Sequence, residues 1–118
     1  MILVDTVIWS HHLRSGDSEL ATRLGDLEVA VHPWIVGELS LGPGMTDSVL
    51  RDLERLPQAP IVPHSVLMAF IELHRLRGIG YVDAQLPVSA LESRWPLWTR
   101  DRALEGMASR FEIAAPLP

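Results

Sequence analysis

Four acidic residues stand where carboxylates are costly to place. The chain opens MILVDTVIW, and Asp5 interrupts an otherwise apolar run. An unpaired carboxylate in such a setting either raises the energy of the fold or takes up a proton. Glu38 lies inside the apolar stretch WIVGELSL, between Ile35, Val36, Leu39 and Leu41. Asp83 follows Tyr81-Val82, and Asp101 lies just beyond PLWT. Were the four to converge, they would repel one another strongly unless cations held them together. Ligands that are all oxygen favour hard ions, Mg²⁺ or Mn²⁺, over zinc. Each acid also has an ordinary explanation. Asp5, Asp83 and Asp101 stand where helices can begin, and aspartate is a common N-cap; Glu38 can face solvent on its helix. Spacing alone does not separate these readings.

The elements that would position the acids are short. Ile2–Val4 reads as a buried strand, Thr6–Leu13 as a helix, and Ser18 onward as a second helix capped by Asp17. Glu28–Val31 reads as a strand and Trp34–Leu41 as a helix ended by Gly42-Pro43-Gly44. Thr46–Leu56, Ser65–Arg77, Val82–Ser93 and Arg102–Arg110 have helical patterning, and Pro96–Thr99 reads as a strand. Brief strand pieces are expected at Ile61-Val62 and near Ile113, the first only at an edge because of its prolines. Short apolar strands alternating with helices predict a parallel sheet flanked by helices. In such sheets sites form at the carboxyl ends of the strands, which singles out Asp5 and Asp101.

Composition narrows the classes. At 118 residues, 47% hydrophobic and 21% charged, the chain reads as one globular domain spanning 1–118. There is no cysteine, which excludes disulfides and thiolate metal sites. No signal peptide or membrane span is read, so a cytoplasmic protein is expected. The net charge is −5, so no overall basic field gathers nucleic acid. All ten basic residues are arginine. Without lysine, a phosphoacceptor receiver domain or a haloacid-dehalogenase-like phosphatase fits poorly; the latter also wants an acid where Val7 stands. The five histidines have no zinc-hydrolase spacing, and Gly42-Pro43-Gly44 is not followed by the Gly-Lys of a P-loop.

ILVDTVIW, WIVGELSLG, GYVDAQL and LWTRDRAL, in this order and at these intervals, resemble the PIN-domain metal ribonucleases. More narrowly, they are similar to the VapC-type toxins of bacterial toxin–antitoxin pairs. The likeness spans nearly the whole chain. It implies a three-layer α/β/α fold around a parallel sheet and an acidic quartet that binds Mg²⁺ or Mn²⁺ and hydrolyses RNA. Matched motif by motif, the quartet is Asp5, Glu38, Asp83 and Asp101, with Asp5, Asp83 and Asp101 holding metal and Thr6 and Thr99 in support. Arg100 and Arg102 flank Asp101 and are candidates for phosphate contact or ordinary surface charges. The resemblance further implies an RNA substrate, a VapB-like antitoxin and a homodimer. Trp9, Leu13, Leu24 and Trp34 are candidates for an apolar antitoxin groove, or else core. Two departures stand out. Gln85 replaces the histidine of the common VDAHL, and Pro87 falls in a helix that usually runs unbroken. They keep a second reading open, a catalytically impaired PIN-fold module that only binds RNA or a protein partner.

Overall fold

In the computed structural model, residues 1–116 are described. Leu117 and Pro118, which the expected domain includes, lie outside the described residues. The centre of the sheet is β1, Ile2–Val4, whose three residues are all buried. Successive strand side chains point to opposite faces, so burial of all three means that both faces are covered by helices. Two parallel neighbours complete the order β2-β1-β3. β2 is Val29–Ala30, with Ile2 opposite Val29 and Leu3 opposite Ala30. β3 is Leu97–Trp98, with Leu3 opposite Leu97 and Val4 opposite Trp98. Among the described residues seven helices accompany these strands, giving the expected three-layer α/β/α arrangement around a parallel sheet.

The connections follow their caps. α1, Thr6–Ser15, starts directly at the end of β1 with Asp5 as its N-cap. α2, Ser18–Gly25, is capped by Asp17, whose carboxylate accepts from the Leu20 N–H at 3.0 Å. α3, Pro33–Ser40, takes proline in its first turn, where a missing N–H costs nothing. α4, Asp47–Arg55, is capped by the Thr46 hydroxyl. α5, His64–His74, and α6, Tyr81–Ser93, pack together. α7, Arg102–Arg110, begins at Asp101 and matches its expected bounds.

Three expectations need correction. Ile61-Val62 forms no strand. The Gln85 side chain supplies what a neighbouring strand would have given: its Oε1 accepts from the Val62 N–H, and its Nε2 donates to the Val62 carbonyl at 3.1 Å. The sheet is extended instead at Gln58, bridged to Val31, where Val31 N–H meets the Pro57 carbonyl and Ala59 N–H the Val31 carbonyl. Near Ile113 there is only a single bridge, Leu97 to Ala114, rather than a strand. Finally, α6 begins at Tyr81 with Gly80 as its cap, so Asp83 lies in its first turn and does not open it. Pro87 is then well inside the helix, which continues to Ser93 although Pro87 has no N–H to give the Asp83 carbonyl.

The amide of Gln85 is almost fully buried and satisfies both polar groups of the Val62 backbone. Gln85→Leu keeps the bulk but orphans those groups, and is expected to cost about 3 kcal/mol at 1–3 kcal/mol each. Guanidinium unfolding should show it as a lower midpoint with an unchanged slope. A midpoint equal to the parent's would mean that the amide is not the substitute strand described here.

Candidate functional site

Because all three strands run the same way, their carboxyl ends deliver Asp5, His32 and the Thr99–Asp101 segment to one edge of the sheet. Asp5 is 7% exposed. Its Oδ1 accepts from the Thr6 N–H at 2.7 Å and its Oδ2 from the Thr99 hydroxyl at 2.7 Å. The Thr99 oxygen in turn accepts from the Asp101 N–H at 3.1 Å. One hydroxyl therefore ties the end of β1 to the loop after β3, across 94 residues of sequence. Burial pushes the Asp5 carboxyl above the usual carboxylate range. The bonds from Thr99 and Thr6 oppose that rise, and the charges of Asp101 and Asp83 add to it.

Asp5, Glu38 and Asp83 line one cleft together with Thr6, His32 and Gln85. The cleft is tight, about 30 Å³, room for little more than one or two waters. Asp101 is not in its wall, but its charge reaches Asp5. Glu38 is indeed exposed on its helix, and the exposed side is the side that faces the cleft. Asp5 and Asp101 do cap helices; Asp101 accepts the Leu104 N–H at 3.0 Å. Capping uses one oxygen of each carboxylate, so the capping and site readings hold together. Among the described residues, no group of three or more acids and histidines is drawn close enough to hold a metal ion as the side chains stand. Like charges with no cation between them keep their distance. The donors nonetheless suit a hard cation: carboxylates from separate elements face a water-sized hollow, and burial and mutual repulsion disfavour the ionised form of Asp5.

The nearest histidine is not a donor for such an ion. His32 is 1% exposed, and its Nδ1 accepts from the Trp34 N–H at 3.0 Å. The proton therefore sits on Nε2, which donates to Gln85 Oε1 at 3.3 Å. Burial holds the His32 pKa below its ordinary value, so the ring stays neutral. This pair joins the start of α3, which carries Glu38, to α6, which carries Asp83. Its only sequence signal was the Gln85 that replaced the family's histidine.

Arg100 has partners of its own within the fold. Its guanidinium is committed to Asp17 at 3.0 Å and lies over the Trp98 ring at 5.7 Å from the centroid. Asp17 is 6% exposed and is also met by His11 Nδ1 at 3.1 Å. Arg102, the first residue of α7, is exposed and has no acidic partner among the described residues. Trp9, Leu13 and Leu24 share a mostly apolar hollow of about 210 Å³ with Val49 and Leu53 of α4 and Leu56 just after it, whereas Trp34 belongs to the acid cleft. The buried Trp9 indole N–H has no acceptor among the described residues.

No protein-family model matches the chain. Ribonuclease VapC32 of Mycobacterium tuberculosis, from strains H37Rv and CDC 1551 alike, is 42% identical to it, covering 97% of this chain and 95% of the relative. The crystal structure of FitAcB from Neisseria gonorrhoeae has the same fold, with a TM-score of 0.60 at 21% identity over 97% of this chain and 95% of that one.

The Leu20 N–H, with Arg100 and His11, lowers the Asp17 pKa from 3.8 to about 2. A depressed folded pKa contributes stability that is full above the unfolded value and is lost as pH falls through the folded one. The window is thus roughly pH 4 down to pH 2, and solvent around the half-exposed Arg100 limits the effect to about 1–2 kcal/mol. Asp17→Asn should lower stability by that amount at pH 7 and flatten this acid limb in urea titrations. An unaltered acid limb would remove Asp17 from this role.

Proposed function

The chain belongs to the VapC family of ribonucleases, and we propose that it is the toxin of a type II toxin–antitoxin pair: one PIN-like domain over 1–118, acting in the cytoplasm as an endoribonuclease that depends on Mg²⁺ or Mn²⁺. The observation that carries the reading is the convergence of Asp5, Glu38 and Asp83 on one hollow, with the Asp101 charge beside Asp5. Asp5, Asp83 and Asp101 would hold the ion, which when bound offsets their mutual repulsion and the charge developing on phosphorus and activates a water. Glu38, exposed at the cleft, orients the attacking water and takes its proton. Water oxygen bonds to phosphorus, the bond to the 3′ oxygen breaks, and that oxygen takes a proton from solvent to leave as a hydroxyl, giving a 5′-phosphate product. The Thr99 hydroxyl fixes the Asp5 carboxylate, and the Thr6 N–H holds its other oxygen. Arg102 stands beside Asp101 as a phosphate contact.

The reading as a binding module without catalysis rested on Gln85 and Pro87. Gln85 is occupied in the fold, and α6 runs through Pro87 with Asp83 still in the cleft wall. Neither departure dislodges an acid, so the catalytic reading is favoured. A VapB-like antitoxin would seat apolar side chains in the hollow lined by Trp9, Leu13 and Leu24. A homodimer would cover the exposed Val66, Leu73, Tyr81 and Val82.

Asp5→Asn tests the centre of this proposal. Purified protein should cleave total RNA with Mn²⁺ and stop on adding EDTA, and the variant should lose activity by about a hundredfold or more. The same substitution removes a carboxylate whose ionised form burial disfavours. A raised folded pKa contributes stability only at low pH, so at pH 7 the ionised Asp5 weakens the fold. The variant should therefore melt at a higher temperature than the parent in EDTA, while Mn²⁺ stabilises the parent alone. Full activity in the variant, or equal stabilisation of both proteins by Mn²⁺, would defeat the assignment.

A further inference from the structure

Arg14 is the cation of α1 that no acid claims. Thr6, Ser10 and Arg14 recur every fourth residue and so share one face of α1. With Leu13 they form one wall of a cavity of about 230 Å³, facing Glu38 of α3 and the Gly42-Pro43 turn. This cavity and the acid cleft have Thr6 and Glu38 in common, so the one opens onto the other. The far wall is held close: Gly44 has φ +83°, and a Cβ there would stand 3.2 Å from the Leu13 carbonyl oxygen. Arg23, Arg55 and Arg100 are each met by a carboxylate. Arg14 is exposed and, among the described residues, has neither an ion pair nor a side-chain hydrogen bond.

We propose that this cavity is a phosphate subsite for the RNA strand, in which Arg14 and Ser10 hold a phosphodiester that flanks the one presented to the acids. The proposal rests on the ribonuclease reading and adds the track along which the substrate lies. Thr6 to Arg14 spans about 12 Å of helix axis, roughly two or three nucleotides of a single strand. The planar guanidinium gives two parallel N–H donors to a phosphate, and the serine hydroxyl a third. A chain of net charge −5 repels an RNA backbone overall, so affinity must come from local cations such as this one. Glu38, at the junction, confines the anion to the Arg14 end. The subsite reads no base, so it fixes register and leaves sequence choice to other contacts.

The test uses Asp5→Asn protein, which leaves RNA intact, and fluorescence anisotropy of a labelled mixed-sequence single-stranded RNA over a range of KCl concentrations. Adding Arg14→Gln should weaken binding about three- to tenfold at low salt and reduce the slope of log affinity against log salt by about 0.7. Arg14→Lys should retain the slope, and Arg55→Gln, whose charge already faces Asp52, should change neither quantity. Unchanged affinity and slope in Arg14→Gln, or no RNA binding by the Asp5→Asn parent, overturns the subsite. Cleavage of total RNA by protein with Asp5 intact is read in parallel. Its absence with Mn²⁺ overturns the ribonuclease reading, whatever the binding titrations say of Arg14.

Discussion

A carboxylate buried at the end of the central strand constrains everything around it. Asp5 has little water to solvate it, so its two oxygens are met by the Thr6 N–H and the Thr99 hydroxyl. Those bonds require α1 to begin at once after β1, and β3 to lie beside β1 in a register that pairs Val4 with Trp98. From Thr99 the linkage passes to the Asp101 N–H, and from Asp101 to the first turn of α7. The compensation is incomplete, because burial and the neighbouring carboxylates still raise the Asp5 pKa. Such incomplete balance is the condition under which a bound cation would be favourable, because it would offset repulsion that the hydrogen bonds leave in place.

The rest of the edge is organised by neutral groups. His32 and Gln85 sit deep in the cleft wall without charge, and their hydrogen bond joins the helix of Glu38 to the helix of Asp83. Around the other side, Asp17 and Arg100 hold the loop that carries Thr99. The acids are thus placed by contacts between elements more than by the ladder, since two of the three strands have only two residues. Rigid support of this kind would matter at a reacting centre, where displacements near 1 Å are expensive in rate.

Much of this was legible in the sequence. Helices with strong caps or breakers, such as α4 after Thr46 and α7 after Asp101, fell where their residues predict, because the cap and the apolar spacing are local signals. Asp5 and Glu38 were visible as acids in apolar surroundings, and Asp83 and Asp101 stood in the motifs that carry the family resemblance. The differences have physical reasons. Nothing local says that Val62 is satisfied by a side chain 23 residues away, so its β-branched pair read as a strand. Asp83 read as a helix opener because aspartate often is one, yet Gly80 took that place. Arg100, read as either a phosphate contact or a surface charge because it adjoins Asp101, pairs with Asp17, 83 residues distant. For Val62 and Arg100 a long-range pairing decided between options that local chemistry left equal; for Asp83 the helix simply began two residues earlier.

The bond between Thr99 and Asp5 also has a temporal side. Asp5 is made early, and its partner only 94 residues later. On the ribosome, the nascent chain therefore carries an aspartate with half its support missing and a central strand lacking one neighbour. The acidic edge comes together only once β3 has been synthesised and inserted. An edge assembled in this order is completed only as the last strand takes its place beside the first.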